Sequence, residues 1–318
     1  MTGPAPAPAR VAICTVLRNE RRYILEWIAH HRLLGVERFL VFDNESDDGS
    51  GPLLAALQAR GLATVVYWPG RGMARQLAAF EAGAAALSFQ SDFVALLDLD
   101  EFLLTDDGES LPGVLARLPA DVGGLAVCQR VFGSGAQQAF EPGLVTARFT
   151  RRAADDRDEH RWVKAILRPE FVRHFTSPHS AALSFGRTIM TDGASFVASG
   201  YPGSADRIRH GGVRLNHYML KPREEFAAKQ RRGGFSDTAA APRFTDEYFT
   251  ARDPACNEVT DRQAAARAGE VRAEMARMIE GFSDEVRRGI EEDVGIIGRE
   301  PLGAATPPIP KPKQRENR

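Results

Sequence analysis

The N-terminal third of this chain alternates four short apolar segments with stretches of helical periodicity, and no other feature constrains its fold as strongly. The apolar segments cover residues 11–17, 38–42, 63–68 and 93–97. Nearly continuous apolar runs of this length are typical of strands buried on both faces of a parallel sheet. The helical stretches between them cover residues 20–34, 51–60 and 73–88. Strands and helices that alternate in units of about thirty residues predict an α/β fold with a mostly parallel central sheet flanked by helices.

Polar residues follow each predicted strand where it ends. They lie at positions 18–20, 43–44, 69–71 and 98–100. In open α/β sheets, ligands bind outside the carboxyl ends of the strands. We therefore expect these four polar segments to converge on one crevice.

The carboxylates of Asp98 and Asp100 come directly after the fourth apolar segment. Residues two apart in an extended segment point to the same side, so this pair predicts a hard-oxygen site for Mn²⁺ or Mg²⁺. Such a cation would stabilise a nucleotide diphosphate as a leaving group. A second pair with this spacing, Asp156 and Asp158, has no strand before it and indicates a solvated loop. The alternative for Asp98 and Asp100 is a turn whose carboxylates cap a helix.

Five ordered blocks of residues resemble those of known glycosyltransferases. The blocks lie within residues 18–36, 42–49, 76–102, 162–179 and 215–233. They are similar to bacterial family-2-like glycosyltransferases, in the branch related to glycosyltransferase family 92. The chain departs from that pattern at Pro222, where the family usually has serine after the lysine.

The resemblance implies a GT-A type fold and a role in polysaccharide biosynthesis. It implies that a divalent cation assists the transfer of a hexose, with a UDP-hexose as the expected donor. The expected acceptor is a glycan or glycolipid, and the reaction is expected to invert the anomeric centre. Two alternatives are a catalytically inactive scaffold of this fold and a nucleotidyltransferase on a similar sheet. The second needs a glycine-rich loop after the first strand, and residues 17–21 contain no glycine.

The chain of 318 residues is long enough for one large α/β domain with a helical addition. We expect a flexible N-terminus at 1–9, a GT-A domain at 10–235, a helical C-terminal extension at 236–300 and a disordered tail at 301–318. Within the GT-A domain, residues 10–105 are the predicted nucleotide-binding half and residues 106–235 the acceptor-side half.

The second half of the chain is less regular than the first. Strand-like segments lie at residues 124–132, 145–149, 162–167 and 213–218, and helical periodicity returns at 222–231 and 260–288. The last helical stretch is rich in Ala, Arg and Glu, so we expect a surface helix packed on the core.

Residues near the strand ends and in the last block are candidates for binding the donor and the cation. The donor candidates are Arg18, Glu20, Asp43, Arg71, Gln76, Asp98, Lys221 and Arg223. The resemblance implies that Asp43 contacts the nucleotide base, and that His217 joins the two aspartates as a metal ligand. The alternative roles are an Asx turn for Asp43, a cap for Glu20, and solvated side chains for Gln76, Lys221 and Arg223. The basic segment 229–234 is either a lid or a solvated face.

An inverting reaction needs a carboxylate that takes the acceptor proton. The candidates are Glu159, Asp158 and Asp192, of which Glu159 is preferred, with Glu101 as a local alternative near the metal. Lys164 is grouped with these catalytic candidates, and with His179 it is expected near the acceptor or the donor sugar. His30 and His31, on the first helix, are expected to be packing residues.

The net charge of −1 argues against a nucleic-acid partner. No segment has the pattern of a signal peptide or a transmembrane helix. The three cysteines are far apart, which suits a reducing compartment. We therefore expect a cytoplasmic protein, with peripheral contact with the inner membrane if the acceptor is a lipid.

Overall fold

The computed structural model of the chain describes residues 7–234 and 243–295. Most of the predicted N-terminal segment and the whole predicted tail at 301–318 lie outside these residues. The strands are β1 (Val11–Leu17), β2 (Arg38–Asp43), β3 (Thr64–Tyr67), β4 (Phe93–Leu96), β5 (Glu101–Thr105), β6 (Val122–Val131), β7 (Arg151–Arg152), β8 (Val163–Leu167), β9 (Val172–Ser177), β10 (Ser180–Leu183), β11 (Arg187–Met190), β12 (Ala198–Ser199), β13 (Tyr201–Ala205), β14 (Val213–His217) and β15 (Val259–Thr260). The helices are α1 (Arg21–Leu33), α2 (Ser50–Ala59), α3 (Met73–Leu87), α4 (Leu111–Ala116), α5 (Val145–Arg148), α6 (Arg223–Arg232), α7 (Asp246–Arg252), α8 (Ala268–Met278) and α9 (Asp284–Val294).

The central sheet has the predicted α/β architecture. Within the described residues it contains nine strands in the order β3-β2-β1-β4-β8-β6-β14-β5, and β11 also pairs with β6. The pairs β1–β2, β1–β4, β2–β3, β6–β11 and β6–β14 are parallel, whereas β8 and β5 run antiparallel to their neighbours. The four apolar segments form β1 to β4, and the predicted mostly parallel sheet is confirmed.

The pairing of β5 with β14 brings two distant motifs side by side. Strand β5 begins at Glu101, directly after the two aspartates, and its register pairs Glu101 with His217. Strand β14 is also parallel to β6, with His217 beside Val131. The end of β14 therefore lies against the start of β5 at the edge of the sheet.

Helix α1 anchors β5 with buried polar groups. The Nε1 of Trp27 donates a hydrogen bond to the Glu101 carbonyl at 2.8 Å. The Nε2 of His30 donates to the Leu103 carbonyl at 2.7 Å, and the Leu103 N–H donates to Nε2 of His31 at 3.1 Å. Both histidines are fully buried, so they have the packing role that the sequence predicts.

Apolar side chains cover both faces of the sheet. One cluster joins Ile13 of β1 to Trp27 of α1 and Met275 of α8, and a second joins Cys14 of β1 to Phe80 of α3. The alternation of Ile13 and Cys14 reflects the two faces of a strand buried on both sides. Helix α8, which lies in the region predicted as a C-terminal helical extension, thus packs on the core.

Two predictions for the second half are wrong. Residues 145–148 form helix α5 instead of a strand, because the buried Glu26 carboxylate accepts hydrogen bonds from the N–H groups of Val145 at 2.6 Å and Thr146 at 3.0 Å. That carboxylate satisfies donors that the first turn of a helix leaves free. The single helix predicted over 260–288 is instead two helices, α8 and α9, and Gly281 between them has φ +80°.

Among the described residues, no helix combines the length and apolar character needed to cross a membrane.

Candidate functional site

A cavity of about 530 Å³ opens at the carboxyl ends of β1 and β4. Arg18 follows β1, Asn44 follows β2, and Asp98 and Asp100 follow β4, and all four line this cavity. His217, at the end of β14, lines it as well. The polar strand ends that the sequence predicts to converge therefore meet in one place.

Asp98 is held by a buried lysine. Lys164 of β8 is 1% exposed, and its Nζ lies 2.9 Å from Oδ2 of Asp98 and 3.3 Å from Oε2 of Glu101. Burial alone would lower the pKa of Lys164, but the two carboxylates raise it above its ordinary value. Lys164 therefore keeps its charge and fixes the Asp98 carboxylate from behind.

Glu101 is the third member of this group, and its side chain is 1% exposed. Burial raises the pKa of Glu101 to about 7, and the Lys164 charge opposes that shift. Its Oε2 accepts a hydrogen bond from the Asp98 N–H at 2.9 Å, which closes the turn between β4 and β5.

Asp100 lies between an imidazole and a second lysine. Its Oδ1 is 3.4 Å from Nε2 of His217, and its Oδ2 is 2.7 Å from Nζ of Lys229. Burial would raise the pKa of Asp100, but the charge of Lys229 holds it well below its ordinary value. Asp100 is therefore ionised throughout the physiological range.

The hydrogen bonds of Gln129 determine which nitrogen of His217 carries the proton. Its Nε2 donates to the Glu159 carbonyl at 2.6 Å, which leaves Oε1 to accept from Nδ1 of His217, also at 2.6 Å. With the proton on Nδ1, the lone pair on Nε2 faces the carboxylate of Asp100. A carboxylate beside an imidazole lone pair suits a divalent cation between or near them.

The three predicted metal ligands share one wall of the cavity but do not meet at one point. In the described ranges, no group of three His, Cys, Asp or Glu side chains is already arranged to hold a metal ion. Asp100 and His217 face one another, whereas Asp98 turns one oxygen towards Lys164.

The predicted donor residues divide into two groups. Those that line the cavity are Arg18, Glu20, Arg71, Gln76 and Asp98, and those that do not are Asp43, Lys221 and Arg223. Asp43 accepts a hydrogen bond from the Ser46 N–H at 3.2 Å, which is the Asx-turn alternative, and the neighbouring Asn44 lines the cavity instead.

Lys221 and Arg223 are held by aromatic rings away from the cavity. Nζ of Lys221 lies 3.5 Å from the ring centroid of Tyr23, and the Arg223 guanidinium lies 4.7 Å from that of Phe249. Burial lowers the pKa of Lys221. Lys221 precedes α6 and Arg223 is its first residue. The α6 residues that line the cavity come later in the helix.

Within α6, the cationic side chains that line the cavity are those of Lys229 and Arg232. They lie three positions apart, so they share one face of the helix. Arg232 forms an ion pair with Glu20 and donates to the Arg18 carbonyl at 2.8 Å. The sequence contains this signal as an i, i+3 pair, but the basic composition of segment 229–234 favours a solvated face over a lid.

Of the three carboxylates proposed as the base, Glu159 lines the cavity. Asp158 is 85% exposed and lies 2.9 Å from the Arg161 Nε, and Asp192 forms an ion pair with Arg209. These arginine partners hold both carboxylates outside the cavity, so the structure does not bring them to the site. His179 lines the cavity as well.

Residues 9–197 match the family model described as glycosyltransferase family 92. This chain belongs to glycosyltransferase family 92. It is 29% identical over 257 residues to a family 92 protein of Oryza sativa subsp. japonica, which covers 77% of this chain and 39% of that protein. A family 92 protein of Ricinus communis is 28% identical over 251 residues, covering 72% of this chain and 40% of that protein.

The chain thus spans about two fifths of the length of these relatives. They are plant proteins, so they lend no support to the bacterial part of the resemblance. The predicted enzyme class, glycosyltransferase, is the class that gives this family its name.

Three solved structures show weak similarity to the chain. Glucosyl-3-phosphoglycerate synthase from Mycobacterium tuberculosis, in complex with Mn²⁺, UDP-glucose and phosphoglyceric acid, is 18% identical, covers 54% of this chain and 62% of its own, and has a TM-score of 0.33. Residues 1–349 of S. aureus TarS are 12% identical and cover 87% of this chain and 73% of that one, with a TM-score of 0.36. GalNAc-T7 with UDP, GalNAc and Mn²⁺ is 9% identical, and the match covers 90% of this chain and 58% of that one, with a TM-score of 0.38. None of these similarities bears on the roles of individual residues here.

Proposed function

We propose that this chain transfers a hexose from a nucleotide-diphosphate sugar, with a UDP-hexose as the donor, to a glycan or glycolipid hydroxyl, with inversion. The observation that carries the proposal is the pairing of Asp100 with the Nε2 of His217 at 3.4 Å on the wall of a strand-end cavity. Membership of glycosyltransferase family 92 supports the class of reaction, and the strand-end cavity is the proposed site of that reaction.

Asp100 and His217 would hold Mn²⁺ or Mg²⁺, and Asp98 would contribute from the same wall. Bound there, the cation would act as a Lewis acid that stabilises the departing diphosphate. Lys164 does not reach the cavity lining, so its role is to position Asp98 rather than to contact substrate.

The positive charges of the cavity suit the diphosphate of the donor. Arg18, Lys229 and Arg232 line the cavity on the side of β1 and α6. Lys229 has a flexible stem, so it can exchange the carboxylate of Asp100 for a phosphate oxygen. We therefore assign Lys229 and Arg232, in place of Lys221 and Arg223, to the diphosphate.

Glu159 is the base in this proposal. Its side chain is 30% exposed, the residue lines the cavity, and Oε2 lies 3.8 Å from Nε of Arg157. A partly exposed carboxylate can accept the proton of an incoming hydroxyl, as an inverting transfer requires. Glu101 is 1% exposed beside Lys164, so its environment suits a structural role better.

A thermal-shift screen of UDP- and GDP-sugars, each with and without Mn²⁺, tests the proposal. We expect stabilisation that needs both sugar nucleotide and cation, since ligands that bind the native state raise its stability. Asp100→Asn should abolish the effect of the cation, whereas Asp158→Asn, an exposed carboxylate outside the cavity, should preserve it. A second assay measures product release. A chain that binds the sugar nucleotide but never releases UDP from it would favour the inactive scaffold. Release of pyrophosphate from a nucleoside triphosphate would favour the nucleotidyltransferase.

The cytoplasmic location and the peripheral membrane contact stay predictions. Sedimentation with vesicles that carry a glycolipid would test the contact. Binding only to vesicles with a sugar headgroup would support a lipid-linked acceptor.

A further inference from the structure

An aromatic wall forms one side of the cavity. It consists of Trp162, His179 and Tyr201, all of which line the cavity. The ring centroid of Trp162 lies 5.2 Å from that of His179 and 5.2 Å from that of Tyr201. Tyr201 is 39% exposed, so part of its ring is open to a ligand in the cavity. A partly open aromatic ring in a cavity offers apolar surface against which a ligand can pack.

The aromatic wall is connected to the proposed base through Gln129. The Gln129 N–H donates to the Trp162 carbonyl at 2.9 Å, and its Nε2 donates to the Glu159 carbonyl. The other end of the same amide accepts from His217. Gln129 therefore separates the Asp100–His217 pair from the wall, which places the wall where an acceptor would approach.

His179 gives the wall a polar edge. Its Nδ1 lies 2.9 Å from the Val163 carbonyl, which can only accept, so Nδ1 carries the proton and Nε2 is an acceptor. The ring packs against Gly203 of β13, where an added Cβ would lie 2.4 Å from the Cβ of His179. The position of His179 thus depends on the absence of a side chain at Gly203.

We propose that Trp162 and Tyr201 form the acceptor subsite and stack against the C–H face of a pyranose ring, so that the acceptor is a sugar residue at a glycan terminus. The inference rests on the proposed function and specifies its acceptor. A pyranose presents an apolar face to aromatic rings and hydroxyl groups at its edge. Glu159 and Nε2 of His179, which line the same cavity, would accept hydrogen bonds from those hydroxyls.

Saturation-transfer-difference NMR tests the subsite with defined probes. The full chain is mixed with UDP and Mn²⁺, and then with methyl β-D-glucopyranoside, methyl β-D-galactopyranoside or 3-phosphoglycerate. We expect saturation of the pyranoside ring protons and no Trp162-dependent signal from the anion. Trp162→Ala and Tyr201→Ala should each weaken pyranoside binding by about two- to tenfold, the value of one aromatic contact. Trp162→Phe should retain most of the signal, which guards against a folding defect.

The control is Phe185→Ala. Phe185 is 63% exposed and packs on Phe171 outside the cavity, so its loss should leave pyranoside binding unchanged. Thermal stabilisation by UDP-sugar with Mn²⁺ is measured in every variant and should not change. The acceptor subsite is wrong if the donor binds but no pyranoside gives a signal. It is also wrong if Trp162→Ala and Tyr201→Ala leave the pyranoside signal unchanged. In both cases the proposed function stands. If the unsubstituted chain binds no sugar nucleotide, the proposed function itself fails.

Discussion

At the scale of single residues, the site depends on buried ionisable groups whose partners fix their charge. Lys164 is the clearest case, because it is 1% exposed and lies between Asp98 and Glu101. The aspartate pair was visible in the sequence because strand-end carboxylates two apart share a side. The lysines that hold them were not assigned to that task, because side chains from β8 and α6 reach the aspartates only in the folded chain.

Replacing Lys164 with methionine should destabilise the fold strongly. The substitution leaves the buried Glu101 carboxylate without its cation and removes the partner of the partly exposed Asp98. Breaking a buried pair in this way costs about 3–5 kcal/mol. Urea unfolding followed by circular dichroism measures the loss. Arg187→Met is the matched control, since Arg187 is 46% exposed beside Asp121 and its pair should contribute no more than about 1 kcal/mol. Equal losses in the two variants would contradict the structural role of Lys164.

The buried histidine His30 predicts a loss of stability on acidification. Burial lowers the pKa of His30 to about 4, below its ordinary value of 6.5. Between these two values the unfolded chain binds more protons than the folded one, so the free energy of unfolding falls as the pH falls. At pH 5 this residue alone should remove about 2 kcal/mol.

The variant His30→Gln tests the assignment of that acid sensitivity. Glutamine can still donate to the Leu103 carbonyl but cannot gain a proton. Urea unfolding at pH 7.5 and pH 5 should show a smaller difference in the variant than in the unsubstituted chain. An unchanged difference would mean that His30 is not a source of the acid sensitivity.

At the scale of elements, local periodicity predicted the first half of the fold and failed in parts of the second. Strands β1 to β4 and helices α1 to α3 each carry their own apolar pattern, so a short window of sequence suffices. Helix α5 owes its form to Glu26 on α1, more than a hundred positions away, and no local pattern records that contact. The pairing of β5 with β14 is non-local in the same way, and it is what brings His217 to the site.

Helix α6 should bind the donor diphosphate through one face only. Lys229→Ala and Arg232→Ala each remove a cavity cation, and a charge-assisted hydrogen bond contributes about 1.5–3 kcal/mol, or roughly ten- to a hundredfold in affinity. Isothermal titration with UDP and Mn²⁺ measures the change. Arg231→Ala, on the exposed side of the same helix, should leave the affinity unchanged. A similar loss in all three variants would indicate a diffuse charge effect instead.

At the scale of the whole molecule, the sheet is completed by residues beyond the matched family region. That region ends at residue 197, whereas β14 begins at Val213 and lies between β6 and β5. The nucleotide-binding and acceptor-side halves predicted from sequence therefore share one sheet, and the cavity takes residues from both.

A chain that ends at residue 197 should not unfold cooperatively. It lacks β14, so β5 loses its pairing partner and the core loses α8, whose Met275 is fully buried. Urea titration should give a broad, shallow transition instead of the steep one expected for the full chain. A steep transition of unchanged midpoint would show that the last third of the chain is dispensable for folding.

The claim at the centre of this account is that Asp100 and His217 bind a divalent cation together with a nucleotide diphosphate. The most direct measurement is a crystal structure of the full chain with UDP and Mn²⁺, with anomalous diffraction collected at the manganese edge. The account predicts one strong anomalous peak in coordination contact with an Asp100 oxygen, Nε2 of His217 and the diphosphate, with Lys229 turned to a phosphate oxygen. UDP bound outside this cavity, or manganese held by other side chains, would contradict it.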